Sequence, residues 1–401
     1  MKIVQVHNSY QQAGGEDVVF AQECRNLERA GHTVVAYHRS NSETENRVPF
    51  GRLALAKDTV WSTHTRRDFA ALLAREAPDL VHVHNTFVMI SPSIYSACAE
   101  KGVPVVQTLH NFRLMCPAAF FFREGKVCED CAHDGLWSAV RHGCYRGSRA
   151  ATATVALMLA AHRALGTWRD SIDSYIALTA FSRAKFVAAG FSPDKMFVKP
   201  NFVDQDPGSR TAVGDYAVFT GRLSPEKGAM SLLRAWERLR VRCPLQIVGD
   251  GPERASLEAL ARERNLRDIT FRGRLSRQET VAAVRGARFA IVPSVYYEGF
   301  PMVIAEAMAC GVPIVCSRLG AMEEIVADGV TGLHFNPGDA DDLARKAEWV
   351  WNHRSEMCEM GRAARLEYEN RYTAEKNYTL LMKIYERTLN RAIDSVQTVS
   401  N

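Results

Sequence analysis

The stretch that decides the fold is Ser294-Val-Tyr-Tyr-Glu-Gly-Phe-Pro-Met-Val-Ile-Ala-Glu-Ala-Met-Ala-Cys-Gly311. It follows the apolar run 289–292, which predicts a buried strand. Gly299 and Pro301 then favour the start of a helix, and Gly311 can cap its end. A buried strand that leads through a polar loop into an apolar helix is typical of a parallel sheet covered by helices.

The same alternation of short apolar runs and helical stretches continues through the whole chain. The near-continuous apolar character of the runs fits strands that are buried on both faces. The runs lie at 2–6, 33–37, 80–84, 104–109, 174–178, 196–199, 216–220, 245–248, 269–271, 289–292, 313–316 and 332–335. The polar segment 204–215, which contains Gly and Pro, lies between the first six and the last six runs. We therefore predict an α/β protein of two doubly wound domains joined by this linker.

Composition agrees with two domains of ordinary soluble type. A chain of 401 residues exceeds what one hydrophobic core usually organises, and 47% hydrophobic with 24% charged residues is typical of globular proteins. The net charge of +5 favours anionic small molecules or an anionic membrane surface but is too weak to indicate a nucleic-acid partner. The chain begins with a strand pattern and not with a secretory signal, and the apolar stretch 150–165 is too interrupted to span a bilayer, so we expect a cytoplasmic protein.

A second loop at a predicted strand end carries two cations. In Val218-Phe-Thr-Gly-Arg-Leu-Ser-Pro-Glu-Lys-Gly228, Gly221 frees the backbone for a tight turn, and Arg222 and Lys227 place paired positive charge on one loop. A diphosphate ligand needs this arrangement, since arginine can bond it bidentately. The alternative interpretation is a solvated basic loop of the kind that any α/β protein can carry.

Two acidic residues mark the first stretch. Glu298 falls in the loop, where we expect an exposed carboxylate that accepts hydrogen bonds from sugar hydroxyls. Glu306 lies in the otherwise apolar helix. A glutamate is uncommon there, because an unpaired buried carboxylate is costly, and its carboxylate could take two ribose hydroxyls. The free N–H groups of 300–303 would face an anionic or hydroxyl-rich ligand. The alternative is a common helix with one acidic residue in its first turns.

Together these motifs resemble the retaining GT-B glycosyltransferases of family four, and the resemblance covers the chain from end to end. The positions 298–306 form the E-x7-E motif, and 221–228 resembles the G-R-x-x-x-x-K-G loop. Gly-Asp-Gly-Pro at 249–252, Pro-Asn-Phe-Val-Asp at 200–204 and Gly-Gly-Glu at 14–16 also resemble that family. The resemblance implies two Rossmann-like domains facing across a cleft: an acceptor domain at 1–204, a donor domain at 205–373, and a final helix at 374–401 that could pack on either domain.

The resemblance also implies roles for single residues. The positions expected to bind the donor are Gly15, Arg222, Lys227, Glu306, Gly299, Phe300 and Pro301. Arg222 and Lys227 would hold the diphosphate, Glu306 the ribose, and Gly15 would approach the diphosphate from the other domain. Glu298, contacting the transferred sugar, and His110, which resembles the active-site histidine, are the predicted catalytic residues. The alternative for His110 is a strand-end residue bonded to backbone.

The implied reaction is sugar transfer from a nucleoside-diphosphate sugar to a glycan or lipid-linked acceptor, with retention, in envelope or exopolysaccharide biosynthesis. Because cations and helix N–H groups would face the leaving phosphate, we expect no catalytic divalent metal. Two other functions stay open: a GT-B-type epimerase or phosphorylase, and a non-enzymatic metal-binding module.

Four of the ten cysteines lie in a glycine-containing insertion at about 113–148. They are Cys116, Cys128, Cys131 and Cys144. Four thiolates with a central C-x2-C suit a structural tetrahedral zinc, and reduced thiols in a lid are the alternative. The apolar helix that follows, flanked by arginines, either lies on an anionic membrane or packs as an ordinary solvated helix.

Overall fold

The computed structural model describes residues 1–11, 14–44 and 49–399. The chain divides into two compact units. Unit 1 comprises Met1–Phe121, Glu129–Pro200 and Asn377–Asn401, and unit 2 comprises Phe122–Cys128 and Asn201–Lys376. Each unit is built around a parallel sheet of its own.

The strands of the described residues are β1 (Lys2–Ser9), β2 (Thr33–Ser40), β3 (Leu80–Val83), β4 (Val105–Leu109), β5 (Phe122–Arg123), β6 (Lys126–Val127), β7 (Ser174–Ala177), β8 (Met196–Val198), β9 (Ala217–Thr220), β10 (Leu245–Val248), β11 (Ile269–Gly273), β12 (Phe289–Val292), β13 (Ile314–Ser317) and β14 (Gly332–Phe335).

The α-helices are α1 (Gly15–Arg29), α2 (Pro49–Val60), α3 (Thr63–Glu76), α4 (Ser93–Lys101), α5 (Asp130–His133), α6 (Trp137–His142), α7 (Arg149–Ala164), α8 (Thr167–Asp170), α9 (Ala180–Ala188), α10 (Ala229–Arg238), α11 (Arg254–Glu263), α12 (Arg277–Arg285), α13 (Met302–Ala309), α14 (Ala321–Ile325), α15 (Ala340–Asn352), α16 (Arg354–Arg371) and α17 (Ala374–Val399). Short 3-10 helices lie at Asn41–Thr44, Pro193–Lys195 and Pro225–Lys227.

Unit 1 contains a six-stranded sheet in the order β2-β1-β3-β4-β7-β8. Its pairs are parallel, with Ile3 of β1 opposite Leu80 of β3. Ile3 and Leu80 belong to a buried cluster that also contains Leu381 and Tyr385 of α17. Helix α17 thus buries an apolar face on the sheet of unit 1 from the far end of the chain, and burial of apolar surface is what stabilises such a contact.

Unit 2 contains a six-stranded parallel sheet in the order β11-β10-β9-β12-β13-β14. Strand β9 lies beside β10 on one side and β12 on the other, so the strand order reverses between β9 and β12. In open α/β sheets, ligands bind beyond the carboxyl ends of the strands at such a reversal. The loops that follow Thr220 and Val292 both begin at this edge.

The predicted fold class is confirmed, because each of the twelve predicted runs overlaps a strand and each unit has a Rossmann-like parallel sheet. Strand β1 extends to Ser9, beyond the predicted end at residue 6, because its polar residues are buried with partners. His7 Nε2 lies 2.9 Å from Asp17 Oδ1, and Asn8 Nδ2 donates to Asn41 Oδ1 at 2.8 Å. The hairpin of β5 and β6 was not predicted, since two-residue strands carry no readable periodicity.

The two units meet in sequence at Pro200 and Asn201, four residues before the predicted boundary. Val203, which we assigned to the N-terminal domain, belongs to unit 2 and donates its N–H to the Tyr372 carbonyl at 3.0 Å. Among the helices described, none has both the length and the apolar character needed to cross a bilayer.

Candidate active site

The two loops singled out by sequence lie next to each other in unit 2. Their strands pair directly, with Phe219 of β9 opposite Ile291 of β12. The Val295 N–H donates to the Glu226 carbonyl at 2.9 Å and ties one loop to the other. Gly228 has φ +71°, and a Cβ there would lie 2.0 Å from the Pro293 carbonyl oxygen. Glycine is therefore required for the close approach of the two loops.

Glu298 is the centre of the resulting cluster. Its Oε1 accepts from Lys227 Nζ at 2.6 Å and from Ser294 Oγ at 2.7 Å, and its Oε2 accepts from Tyr296 OH at 2.6 Å. Burial by itself raises the pKa of Glu298, but Lys227 and the hydroxyl donors outweigh burial and hold the pKa below its usual value. The side chain is a fixed carboxylate beside a cation.

One expectation about Glu298 was wrong. We predicted an exposed loop carboxylate, whereas the residue is only 5% exposed. Ser294 and Tyr296, from the same loop, already occupy its oxygens. A buried carboxylate with three donors is a rigid element of a site, and it also holds Lys227 in place.

The cationic loop has one half-buried and one exposed side chain, Lys227 and Arg222. Lys227 ends the 3-10 helix Pro225–Lys227, and its ammonium lies 5.3 Å from the Tyr296 ring centroid. Arg222 is exposed at the start of the same loop. The residue before it, Gly221, donates its N–H to the Val248 carbonyl at 3.0 Å. Both cations thus follow the carboxyl end of β9.

Helix α13 carries the second acidic residue. Pro301 is its N-cap residue, and Gly311 follows its end with φ +66°, as the sequence predicted. Burial raises the pKa of Glu306 above its usual value, and the charge of Arg277 partly opposes this. Phe300, just before the helix, is buried and meets the Tyr372 ring edge-on at 5.6 Å between centroids.

In unit 1, Gly15 is the first residue of α1, and the residue before it is bonded to a carboxylate. Asp17 Oδ2 accepts from the Gly14 N–H at 2.7 Å. Glu16, which ends the Gly-Gly-Glu motif but was given no role from sequence, accepts from Tyr10 OH at 2.9 Å. Burial raises the pKa of Glu16 to about 7, opposed in part by His7 and Tyr10. A carboxyl group that titrates near neutrality at a helix start is a candidate functional group, and its position after Gly14 and Gly15 was the available signal.

His110 follows β4, as predicted, but its partner is another histidine and not backbone. His110 Nε2 lies 2.9 Å from Nδ1 of His84, which follows β3. Both residues line a cavity of unit 1 together with Asn85, Arg113 and Trp168. The alternative, in which the His110 side chain bonds to backbone, therefore differs from the contact observed, which is to the His84 side chain.

Behind His84 lies a buried carboxylate that sequence reasoning missed. Glu23 of α1 has its Oε1 3.0 Å from His82 Nδ1 and 3.2 Å from His84 Nε2. These three side chains place ligand atoms within 4.8 Å of one another, a spacing that could hold a metal ion. Lys199, however, donates to Glu23 Oε2 at 2.7 Å. An ammonium ion on the same carboxylate favours a hydrogen-bonded network over a cation site, because it already supplies the positive charge.

The four cysteines of the insertion lie on short elements of both units. Cys116 is buried in the turns after β4, and Cys128 follows β6 in the unit 2 segment Phe122–Cys128. Cys131 is in α5, and Cys144 follows α6, where its N–H donates to the Ala139 carbonyl at 3.1 Å. None of the ten cysteines, all within the described ranges, forms a disulfide. A zinc ion on the four thiolates stays a prediction.

Comparison with known families matches nearly the whole chain in two parts. Residues 13–207 match the model for glycosyltransferase family 4, and residues 211–367 match the model for glycosyl transferases group 1. The chain is of the glycosyltransferase family 4 and group 1 type.

Relatives of this glycosyltransferase-type chain are 27% to 32% identical to it over the aligned segments. Sulfoquinovosyl transferase SQD2 of Arabidopsis thaliana is 27% identical over 305 residues, 74% of this chain and 54% of that protein. An uncharacterised glycosyltransferase of Methanocaldococcus jannaschii is 32% identical over 175 residues, 43% of this chain and 49% of that protein. O-antigen chain mannosyltransferase B of Escherichia coli is 30% identical over 196 residues, 44% of this chain and 50% of that protein. The chain thus spans about half the length of the curated relatives it matches.

Solved structures share the fold of this glycosyltransferase-type chain over almost all of its length. HepE of Anabaena in complex with UDP has a TM-score of 0.68 at 17% identity and covers 96% of this chain and 100% of its own. Sucrose-phosphate synthase of Thermosynechococcus elongatus has a TM-score of 0.73 at 18% identity, covering 97% and 99%. Both likenesses confirm the GT-B fold class with two Rossmann-like sheets.

Proposed function

We propose that the protein is a retaining glycosyltransferase that moves a hexose from a nucleoside-diphosphate sugar to a glycan or lipid-linked acceptor. The observation that carries this proposal is the Lys227–Glu298 pair, 2.6 Å apart, at the carboxyl ends of β9 and β12. A cation and a fixed carboxylate at the reversal of a Rossmann-like sheet suit a ligand with both phosphate and hydroxyl groups.

The donor diphosphate would bind at the loop of Arg222 and Lys227. Arg222 offers a planar set of donors, and Lys227 offers a compact charge that can turn from Glu298 towards a phosphate oxygen. The N–H groups at the start of α13, preceded by Gly299 and Phe300, would add to this anion site. Glu306 would accept the ribose hydroxyls. Two of the similar structures hold UDP and UDP-glucose, which makes uracil the first base to test.

The chemistry follows from charge. As the bond between the sugar C1 and the diphosphate oxygen breaks, negative charge grows on the leaving phosphate, and cations already facing it lower the barrier. The acceptor oxygen would bond to C1 on the same face, and the acceptor proton would pass to the leaving phosphate. Glu298 would accept hydrogen bonds from the sugar once ligand binding shifts its present partners. We expect this step to need no divalent metal.

The protein would act in the cytoplasm on envelope or exopolysaccharide intermediates. Peripheral membrane contact is supported by large apolar side chains that face solvent in unit 1, namely Trp137, Leu157 and Leu165 at 75%, 60% and 68% exposure. Arg141 and Arg149 lie on the same pair of helices, α6 and α7. Apolar side chains beside cations suit an anionic lipid surface.

A thermal-shift screen against UDP- and GDP-sugars is the first test, because a ligand specific for the folded state raises the melting temperature. The binding donor is then incubated with enzyme and no acceptor. A transferase slowly releases free sugar and nucleoside diphosphate, whereas an epimerase yields an isomeric nucleotide sugar and a phosphorylase needs inorganic phosphate. Glu306→Ala and Lys227→Ala should lower turnover by about 10²-fold or more, while the protein stays folded without ligand. Full activity in either variant would remove the site assignment.

Zinc on Cys116, Cys128, Cys131 and Cys144 would be structural, since four protein ligands leave no open position. Metal analysis of the purified protein tests this directly. About one zinc per chain that is lost in the Cys128→Ser/Cys131→Ser variant is the expected result. Zinc-free protein with unchanged stability would favour the reduced thiols.

A further inference from the structure

A chain of side chains in unit 1 connects a core carboxylate to His110. Glu23 Oε1 lies 3.2 Å from His84 Nε2, and His84 Nδ1 lies 2.9 Å from His110 Nε2. Glu23 and His84 are 1% and 3% exposed, and the rings of His84 and His110 stack at 5.1 Å between centroids. Each imidazole in this chain therefore touches its neighbour through a defined ring nitrogen.

The charge at the inner end of the chain is fixed. Lys199 donates to Glu23 Oε2 at 2.7 Å and to Asn377 Oδ1 at 3.3 Å, and it is itself 1% exposed. Although burial raises the pKa of Glu23, the charges of Lys199 and His82 outweigh burial and hold the pKa well below its usual range. Glu23 is therefore ionised and can only accept hydrogen bonds.

The protonation of His84 follows from its neighbours. Its Nε2 faces two oxygen atoms, Gln5 Oε1 at 3.0 Å and Glu23 Oε1 at 3.2 Å. Glu23 Oε1 makes no regular hydrogen bond, so it acts on His84 mainly through its charge. A bare nitrogen lone pair between two oxygens would be repelled, so Nε2 carries the hydrogen. Burial and the neighbouring His82 lower the pKa of His84 to about 3, so the ring has one proton and its Nδ1 is an acceptor.

The protonation of His110 follows in turn. Because His84 Nδ1 accepts, His110 Nε2 must donate across the 2.9 Å contact. Burial is the main cause that lowers the pKa of His110 far below its usual value, and His84, His7 and Lys199 lower it further against the opposing charge of Glu23. His110 is therefore neutral with its single proton on Nε2, and Nδ1 keeps a lone pair.

We propose that His84 and Glu23 are positioning residues that hold His110 in the Nε2–H tautomer and so present its Nδ1 as an acceptor for a hydroxyl of the sugar substrate. The role of His110 rests on the proposed function, whereas the tautomer rests only on the contacts of unit 1. Fixing a histidine tautomer through a second residue is how proteins decide which ring nitrogen meets a substrate.

The test reads tautomers directly. The full-length protein is labelled with ¹⁵N-histidine, and long-range ¹H–¹⁵N spectra are recorded between pH 6 and pH 8, with the His110 signals assigned by their loss in His110→Gln. We expect the ¹⁵N chemical shift of His110 Nε2 to be that of a protonated ring nitrogen, and the shift of Nδ1 to be that of an unprotonated one. Neither shift should change between pH 6 and pH 8. A His110 that is Nδ1–H or doubly protonated at pH 7 would overturn the proposal, and this result needs no variant of the network to fold.

A matched pair of variants tests the route through His84. His82 contacts the same Glu23 oxygen at 3.0 Å, but its other nitrogen bonds to Thr108 Oγ1 at 2.8 Å and not to His110. His84→Gln should convert His110 to a mixture of tautomers, whereas His82→Gln should leave the His110 signals in place. Equal effects of the two substitutions would mean that His84 has no special role.

Activity supplies the second readout. In the acceptor reaction, His84→Gln should lower kcat by about 10- to 100-fold and leave the KM for the donor within about threefold. This loss is smaller than the roughly 10²- to 10⁴-fold cost of removing an acid–base group itself, because His84 acts only through His110. In a His110→Gln background, the same substitution should cost less than about threefold, because the residue through which it acts is gone. An undiminished loss in that background would contradict the proposal.

The outcomes separate this inference from the proposed function. If no nucleotide sugar binds or reacts, the proposed function fails, while the tautomer spectra still decide the role of His84 and Glu23. If Zn²⁺ shifts the His82 and His84 signals and metal analysis finds zinc that is absent in Glu23→Gln, these residues form a metal site and the positioning role is wrong.

Discussion

Two lysine–glutamate pairs of this protein share the same chemistry but differ in their access to solvent. Lys199–Glu23 in unit 1 measures 2.7 Å, and Lys227–Glu298 in unit 2 measures 2.6 Å. The side chains of the first pair are each 1% exposed, while Lys227 is 25% exposed beside a Glu298 side chain at 7%.

This difference in exposure indicates which pair can contact a ligand and which pair only stabilises the fold. Lys199 also donates to Asn377 of α17, so its ammonium group is bonded to buried partners and does not face a ligand. Lys227 has an open side from which a ligand could attract it away from Glu298. We therefore expect substitutions in the buried pair to change the free energy of unfolding, and substitutions in the partly exposed pair to change donor turnover.

The largest expected effect is on folding. Lys199→Met should lower the free energy of unfolding by about 3–5 kcal/mol, because it leaves the Glu23 carboxylate buried and unpaired. Urea denaturation followed by circular dichroism measures it. Lys199→Met/Glu23→Gln should recover most of the loss, since it removes both charges. A single variant within about 1 kcal/mol of wild type would mean that the pair is not buried as a charge pair.

The next effect is on catalysis. Lys227→Met should reduce donor turnover by about 10²- to 10³-fold, the usual cost of removing one group that stabilises developing negative charge. Its free energy of unfolding should fall by less than that of Lys199→Met, because Ser294 and Tyr296 still bond to Glu298. Initial-rate kinetics at saturating donor measure the loss. If Lys227→Met unfolds the protein as strongly as Lys199→Met, the division between the pairs is wrong.

A smaller effect concerns pH and the buried histidines next to Glu23. The pKa of His84 is lowered from 6.5 to about 3, so below pH 6.5 the unfolded chain binds a proton that the folded chain does not. Stability therefore falls as pH falls from 6.5, by up to about 1.4 kcal/mol per pH unit for this residue. Urea titrations between pH 7 and pH 5 measure the slope, and His84→Gln should make it shallower. An unchanged slope in that variant would show that His84 is protonated in the folded state.

The smallest effect is expected at a third pair, Lys185–Glu129, which measures 2.7 Å with side chains 28% and 21% exposed. Lys185→Met should change the free energy of unfolding by less than about 1 kcal/mol, because water screens the pair. Donor turnover should stay at the wild-type level. A loss as large as that of Lys199→Met would show that solvent exposure does not rank these pairs.

The candidate donor site could be predicted from sequence because its residues lie in two contiguous motifs. Arg222 and Lys227 share one loop, and Glu298 and Glu306 share one loop-and-helix motif, each directly after an apolar run. What the pattern could not give was the burial of Glu298, since its cover comes from the side chains of Ser294 and Tyr296. The sequence of a loop does not show in which direction its serine and tyrosine hydroxyls point.

The network behind His110 could not be predicted in the same way. Glu23 and Lys199 are 176 residues apart, and the histidines alternate in the strand-like stretch Val81-His82-Val83-His84 without any motif. A histidine in an apolar run was the available signal, but it fits a satisfied core residue equally well. Only the pairing of β1, β3 and β4 beside α1 brings these groups together.

The sequence by itself determined the two doubly wound sheets and the loops with cations and carboxylates, because hydrophobic periodicity and turn residues are local properties of the chain. Tertiary structure alone decided which carboxylates are buried and which lysine each one meets. It also decided which nitrogen of His110 carries the proton. Those outcomes depend on contacts between residues far apart in the chain, where burial and charge act through space and leave no pattern along the sequence.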